Sequence, residues 1–301
     1  MPQTIRYGVE IECSIPNFGS DPRSRIAADL RALGVNATAT GYSGRDYTMW
    51  QVKSDCSLSP SSGHQGTAEL VSPILTWGDD DSEAQLRTAS EYLVTIGAKV
   101  NNSCGGHVHI GVSHLDASGL ANLIESYHYN QNAIDGLIAP ARRGNGRSYC
   151  YRQSDSRMAA TVQDIRTGGT TYVTYAGSHG NQINADWYSQ RGTLEFRQRQ
   201  SSINHYKILG WVGFLVGLVH AAEAGVALRD DTASTEDLLL TMVEGEYLSP
   251  VLRDWVLGTV PRVNTIESLA ANITAARTAA TSRVSRLMRL QGVTVYRSIA
   301  T

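Results

Sequence analysis

Ile5-Arg6-Tyr7-Gly8-Val9-Glu10-Ile11-Glu12-Cys13 decides how the rest of the chain is read. Apolar side chains stand at Ile5, Tyr7, Val9, Ile11 and Cys13, and the intervening positions hold Arg6, Gly8, Glu10 and Glu12. A strict period of two predicts a half-buried β-strand. At the strand rise per residue, Glu10 and Glu12 share one face about 7 Å apart while the other face enters a core.

The same alternation recurs downstream. Strands are expected over residues 48–53, 67–71, 107–112, 182–186 and 193–199, each bounded by Gly, Ser, Asn or Pro. Between them lie helical patterns: residues 21–33 carry Ile26, Leu30 and Leu33, residues 82–96 carry Leu86, Ala89, Leu93 and Ile96, and residues 117–138 carry Leu120, Leu123, Ile124, Tyr127, Ile134 and Leu137. Residues 208–222 are apolar all round but too short to cross a bilayer comfortably, which predicts a buried core helix. Beyond residue 225 the chain turns acidic, and a last helix is expected over residues 266–291 with Arg277, Arg283, Arg286 and Arg289.

The expected fold is α+β: a curved, mainly antiparallel sheet forming an active-site funnel, with helices on its outer face and a helical C-terminal region. The expected division is a catalytic domain over residues 1–225 and a helical extension over residues 226–301 packed on it.

Composition narrows the function. With 26 Lys+Arg against 28 Asp+Glu the formal charge is −2, which gives no electrostatic reason to bind nucleic acid or an anionic membrane. Lysine stands only at positions 53, 99 and 207, never after glycine, which excludes a P-loop. Cys13, Cys56, Cys104 and Cys150 form no CxxC pair, and the N-terminal residues lack an apolar signal core, so the expected location is the reducing cytoplasm.

Four segments concentrate metal-competent and anion-binding side chains: residues 8–12, residues 55–73, Gly105-Gly106-His107-Val108-His109, and Thr193-Leu194-Glu195-Phe196-Arg197. On strands, Glu10 with Glu12, His107 with His109, and Glu195 with Arg197 each project as a pair from one face. Carboxylates and imidazoles around one cavity suit Mg²⁺ or Mn²⁺, which can bridge the phosphates of a nucleotide. Arg142, Arg143, Arg147 and Arg152 are candidates to grip phosphate or a substrate carboxylate through the guanidinium fork.

In content and order these segments resemble the amidoligases of the glutamine synthetase-like carboxylate–amine ligase superfamily. YGVEIE resembles the first-strand GxExE, DCSL and AELVSPIL its D-x-S and ELVSP blocks, CGGHVHIG its GxHVHxG strand, and TLEFR its closing EFR; ARRGNGRSYC is similar to the paired-arginine segment between the last two. The resemblance runs from about Arg6 to Ala222. Glutamine synthetase is a more distant likeness, with an ExE strand, a glycine turn into HxH, and an E-x-R strand followed by a turn that here reads SSINHY.

The resemblance implies that Glu12, Asp55 and Glu69 ligate one divalent ion, and that Glu10, His107 and Glu195 ligate a second that bridges the phosphates of ATP. It implies that His109 and Arg197 face the transferred phosphoryl group, with Arg142 and Arg143 as further nucleotide contacts and Glu195 among the catalytic residues. The implied activity is ATP-dependent amide or isopeptide formation through an acyl phosphate, on small-molecule or peptide carboxylates and amines. A homo-oligomer, or an amidotransferase or peptide-modifying pathway partner, is compatible with it. Residues 57–67 are read as either a flap over the site or a hairpin loop.

Three other readings compete. An amidohydrolase-type metal hydrolase also uses HxH, a cysteine hydrolase would use Cys104 with His107 or His109, and a binding or structural module could retain a ligase fold without activity.

Overall fold

The computed structural model describes residues 4–41, 46–143 and 150–258. Its frame is one sheet of strands β1 (Arg6–Ile15), β2 (Ala37–Ala39), β3 (Trp50–Lys53), β4 (Gly66–Val71), β5 (Leu75–Thr76), β6 (Gly106–Gly111), β7 (Ile183–Asn184) and β8 (Thr193–Phe196). The order is β2-β3-β4-β1-β6-β8-β7, with β5 also beside β1, and every pairing is antiparallel except β2 with β3. The expected α+β class and mainly antiparallel sheet are therefore present, and every expected strand segment holds a strand.

β1 is central because its apolar face is unbroken. Ile5, Tyr7, Val9, Ile11, Cys13 and Ile15 are all buried. The helices are α1 (Pro22–Ala32), α2 (Asp80–Thr95), α3 (Ala117–Tyr129), α4 (Gln131–Gly136), α5 (Asp155–Gly168), α6 (Tyr188–Arg191), α7 (His205–Glu223), α8 (Thr235–Glu244) and α9 (Pro250–Val256), with 3-10 turns at Pro140–Arg142 and Thr170–Ala176.

α7 is the buried core helix expected from its all-round apolarity. It packs on α2, α3, α9 and β6, and Trp211, Phe214, Leu215 and Leu218 are all buried. Each such side chain contributes about 1.5–3 kcal/mol relative to exposure. Its glycines admit close neighbours: a Cβ on Gly210 would lie 2.6 Å from the Val256 nitrogen, and one on Gly217 would lie 2.7 Å from the Tyr247 carbonyl oxygen. No helix among the described residues is long and apolar enough to cross a membrane.

One expected element is divided. The pattern over residues 117–138 forms α3 and α4, broken at Asn130 with φ −94° and ψ 26°. The Asn130 side-chain amide donates to the carbonyls of Ser126 and Leu228, which ties the break to a segment far along the chain. Residues 37–39, 155–168 and 235–256 form elements not anticipated individually. The helix expected over residues 266–291 lies outside the described residues.

Candidate active site

The face of the sheet opposite α7 is a grid of polar side chains set by strand register. Glu10 stands opposite His107, Glu12 opposite Glu69, Glu69 opposite Lys53, His109 opposite Gly8 and Glu195, and Glu195 opposite Asn184. Directly opposed residues in an antiparallel pair share a face, so β1, β4, β6 and β8 present their functional side chains together while the alternate residues fill the core. Val9, Ala68, Leu70, Val108, Leu194 and Phe196 are those alternates, all buried.

Glu10 accepts from His107 Nδ1 at 2.8 Å and from His109 Nε2 at 3.1 Å. His107 Nδ1 lies 3.6 Å from Glu195 Oε1, and its Nε2 lies 3.7 Å from Glu12 Oε1. One ligand atom each from Glu10, His107 and Glu195 lies within 4.8 Å of the other two. Glu195 also accepts from Arg197 Nη1, and from Asn184 Nδ2 at 2.7 Å.

A second acidic group adjoins the first. Glu12 accepts from the Gly105 backbone N–H, and Glu69 faces it across the β1–β4 pair. Asp55, half-buried in the loop after β3, accepts from the Ser57 N–H at 2.7 Å, and its charge acts on both Glu12 and Glu69.

The two groups differ in electrostatics. Burial opposes ionisation of Glu10, but the bonds from His107 and His109 outweigh it and hold the carboxyl well below the usual range. Burial likewise works against a charged His109, and the Glu195 and Glu10 carboxylates reverse this, raising its pKa. Glu12 is raised, by burial first and by Asp55 as well, against the opposing pull of His107 and Gly105. Glu69 is pushed up to about 9 by burial and then by the charge of Glu10, with Lys53 opposing. This half of the grid holds more negative charge than its surroundings neutralise, and a divalent cation is the chemical complement of such a set.

Arg142 joins the site from the turn at Pro140–Arg142. It is buried, its Nη2 donates to the Arg197 carbonyl at 2.6 Å, and its Nε has no partner among the described residues. Gly105 is glycine for a visible reason: a Cβ there would lie 2.7 Å from both Arg142 Nη2 and His107 Nε2.

Two other arginine candidates stand apart. The exposed Arg143 donates from Nε to the Ile138 carbonyl at 3.1 Å, and Arg152 donates to Asp155 at 2.8 Å. Arg147 lies outside the described residues. The loop over residues 57–65 is a connection between β3 and β4, tied down where Ser14 Oγ accepts from the Ser61 N–H at 2.7 Å and Asn101 donates to the Ser59 carbonyl at 2.8 Å.

Sequence reasoning missed Asn184, Lys53 and His179. Asn184 was visible as a polar position on the expected strand over residues 182–186, and Lys53 as one of three lysines. The His179 imidazole is lowered by burial and by the charge of Arg197, which puts it within electrostatic range of the grid. Its loop position offered no periodic signal.

The cysteine-hydrolase reading loses ground here. Cys104 is buried, its thiol is raised by that burial, and its sulfur lies 3.6 Å from Asn101 Oδ1, the opposite of an activated thiolate. His114 pairs with Glu223 and His128 with Asp155, on other elements than the grid strands, and His64 is taken up by Ser14, two residues beyond Glu12 on β1.

Over residues 3–219 the sequence matches a protein family described as “Putative amidoligase enzyme”. No curated protein matches the chain.

Proposed function

The chain belongs to this amidoligase family, and from that premise we propose that it is an ATP-dependent carboxylate–amine ligase using Mg²⁺ or Mn²⁺, with the polar sheet face as the floor of a glutamine synthetase-like funnel. The observation that carries the reading is the convergence of Glu10, His107 and Glu195 from three strands within 4.8 Å of one another.

The donor set fits the ions. Glu10, His107 and Glu195 would hold one, and Glu12, Asp55 and Glu69 a second, where the raised pKa values of Glu12 and Glu69 mark uncompensated negative charge. Bound there, divalent cations neutralise phosphate oxygens and free the γ-phosphorus for in-line attack.

In this reading a substrate carboxylate oxygen attacks the γ-phosphorus of ATP and ADP leaves. The amine then attacks the acyl carbon of the resulting acyl phosphate, phosphate departs, and the products are an amide, ADP and phosphate. The chain's own part is positioning and charge. Arg197, braced by Glu195, and Arg142, with a buried N–H to spare, receive the negative oxygens of the transferred group. His109, whose pKa the Glu195 and Glu10 carboxylates raise against its burial, supplies another donor beside them. Asn184 fixes the Glu195 rotamer.

The substrates in this reading are small-molecule or peptide carboxylates and amines. Free thiols at Cys13, Cys56 and Cys104 support a reducing compartment such as the cytoplasm.

The test is thermal unfolding with ATP or ADP, each with and without Mg²⁺, on wild type, Glu12→Gln and Glu195→Gln. A magnesium-dependent nucleotide shift in wild type that both variants lose is the expected result. Absence of any such shift in wild type, or its survival in both variants, overturns the reading.

A further inference from the structure

The polar face of the sheet does not end with the grid. Beside the row of Gly8, His109 and Glu195 runs a further row, towards the start of β1, made of Thr76, Arg6, Gly111 and Thr193. Arg6 is directly opposite Thr76, Gly111 is opposite Thr193, and a Cβ on Gly111 would lie 3.6 Å from the Arg6 Cβ. Opposed residues share a face, so this row continues the face that carries the acids and imidazoles.

The chemistry inverts along it. A cleft of about 510 Å³ opens at this end, lined by Thr4, Arg6, Thr76, Gly111, Ser113 and His114, with no carboxylate among them. That size suits a small organic ligand. His114 is engaged by Glu223, Nε2 to Oε1 2.8 Å. The exposed Arg6 guanidinium has no hydrogen-bond or ion-pair partner among the described residues, and neither have the hydroxyls of Thr4, Thr76 and Ser113. A second cation stands beside them: the Arg191 guanidinium lies 4.3 Å from the Tyr47 ring centre and 4.5 Å from that of Trp187, and the next residue, Gly192, packs against Ser113. A guanidinium fork flanked by hydroxyl donors is complementary to a carboxylate.

The spacing of the two ends sets a ligand length. Arg6 and Glu10 are four residues apart on β1, as Gly111 and His107 are on β6, a span of about 13 Å at the strand rise. Gly8 lies between Arg6 and Glu10 and projects no side chain into the path. A single amino acid is too short to bridge that span, whereas an extended peptide covers it with about four residues.

We propose that the cleft anchors the distal carboxylate of an extended acid, about the length of a tri- or tetrapeptide, whose other carboxyl reaches the grid. Arg6 supplies the charge, and Thr4, Thr76 and Ser113 supply further donors. That the far carboxyl is activated at the grid rests on the ligase reading; the capture of a carboxylate by Arg6 does not.

The experiment is calorimetric titration of the full chain in Mg²⁺ without nucleotide. The probes are N-succinylated glycine, diglycine, triglycine and tetraglycine, each as the free acid and as the C-terminal amide, on wild type, Arg6→Gln and Arg6→Lys. The expected result is tightest binding for the acids with two or three glycines, about tenfold tighter than their amides, as one charge-assisted hydrogen bond contributes. In Arg6→Gln the difference between acid and amide disappears, and Arg6→Lys restores part of it.

Equal binding of acids and amides by wild type, a preference that survives in Arg6→Gln, or binding of none of the probes overturns the proposal. Affinity independent of the number of glycines overturns the two-ended span. Inorganic phosphate bound more tightly than every peptide acid makes the cleft a phosphate site and overturns it too. An Arg6-dependent preference in a chain with no magnesium-dependent nucleotide shift upholds the anchor and removes the ligase reading instead.

Discussion

Glu69 is the group whose charge this fold resists most openly, and neutralising it should stabilise the protein while impairing the site. Its folded pKa of about 9 stands above the ordinary 4.5, because the side chain is buried and faces Glu10, Glu12 and Asp55. A carboxyl raised in this way costs nothing below pH 4.5, where folded and unfolded chains both hold the proton. As pH rises the unfolded chain ionises freely, and stability falls until the folded group ionises too. At pH 7 the gap of roughly 2.5 pH units, at about 1.36 kcal/mol each, amounts to about 3 kcal/mol. Glu69→Gln removes that cost with nearly the same shape. In chelator at pH 7 the variant should melt about 6–12 °C above wild type, taking about 2–4 °C per kcal/mol. The difference should shrink towards zero at pH 5, and added Mg²⁺ or Mn²⁺ should stabilise wild type more than the variant. Thermal unfolding in EDTA from pH 5 to 8 reads this directly. A variant less stable than wild type at pH 7, or a difference that does not change with pH, refutes the argument.

Three further substitutions probe the frame around the site. Gly105→Ala places a methyl group 2.7 Å from Arg142 Nη2 and His107 Nε2, so ATP turnover should fall roughly 10²-fold from misplacement alone while the melting temperature changes little. Ser72→Ala removes the hydroxyl that accepts from the buried Val9 N–H at 2.9 Å, and denaturant unfolding should register a loss of about 1–3 kcal/mol. Gly210→Ala drives a methyl group against the α9 backbone at Val256 and Trp255, which should cost about 1–3 kcal/mol and increase proteolytic nicking near residue 256, whereas unchanged stability would mean that α9 is not held there.

What the sequence made legible was whatever obeys a local period. The alternation through Ile5 and Cys13, and the pairs His107 with His109 and Glu195 with Arg197, identified the strands and the face their side chains share, because one buried face fixes register. Long-range partners were not legible. The Asn130 side chain at the helix break bonds the Leu228 carbonyl, and β2 lies parallel to β3, both contacts between distant parts of the sequence. α8 begins with a capping box at Ser234 and Asp237, a signal present in the sequence but overlooked in an acidic stretch. Within the site, acids and imidazoles announce themselves by type, whereas Asn184 acts only by orienting Glu195, and nothing short of the β7–β8 register reveals that. Arg142 and Arg143 are adjacent in sequence, yet one is buried beside Arg197 and the other turns to the Ile138 carbonyl, a distinction set by the 3-10 turn.

The three groups that converge within 4.8 Å are drawn from residues 10, 107 and 195, and the sheet order makes β8 the strand that brings in the last of them. Any ion that requires all three has nothing to bind in a chain whose final strand has not docked, so affinity for it and completion of the sheet are one event. As synthesis delivers the N-terminal strands first, the two earlier contributions wait, paired with each other but one ligand short, until the third arrives. Metal uptake would then serve as a certificate of assembly: it is refused to fragments and partly folded chains, and once granted it draws the equilibrium towards the finished molecule by mass action.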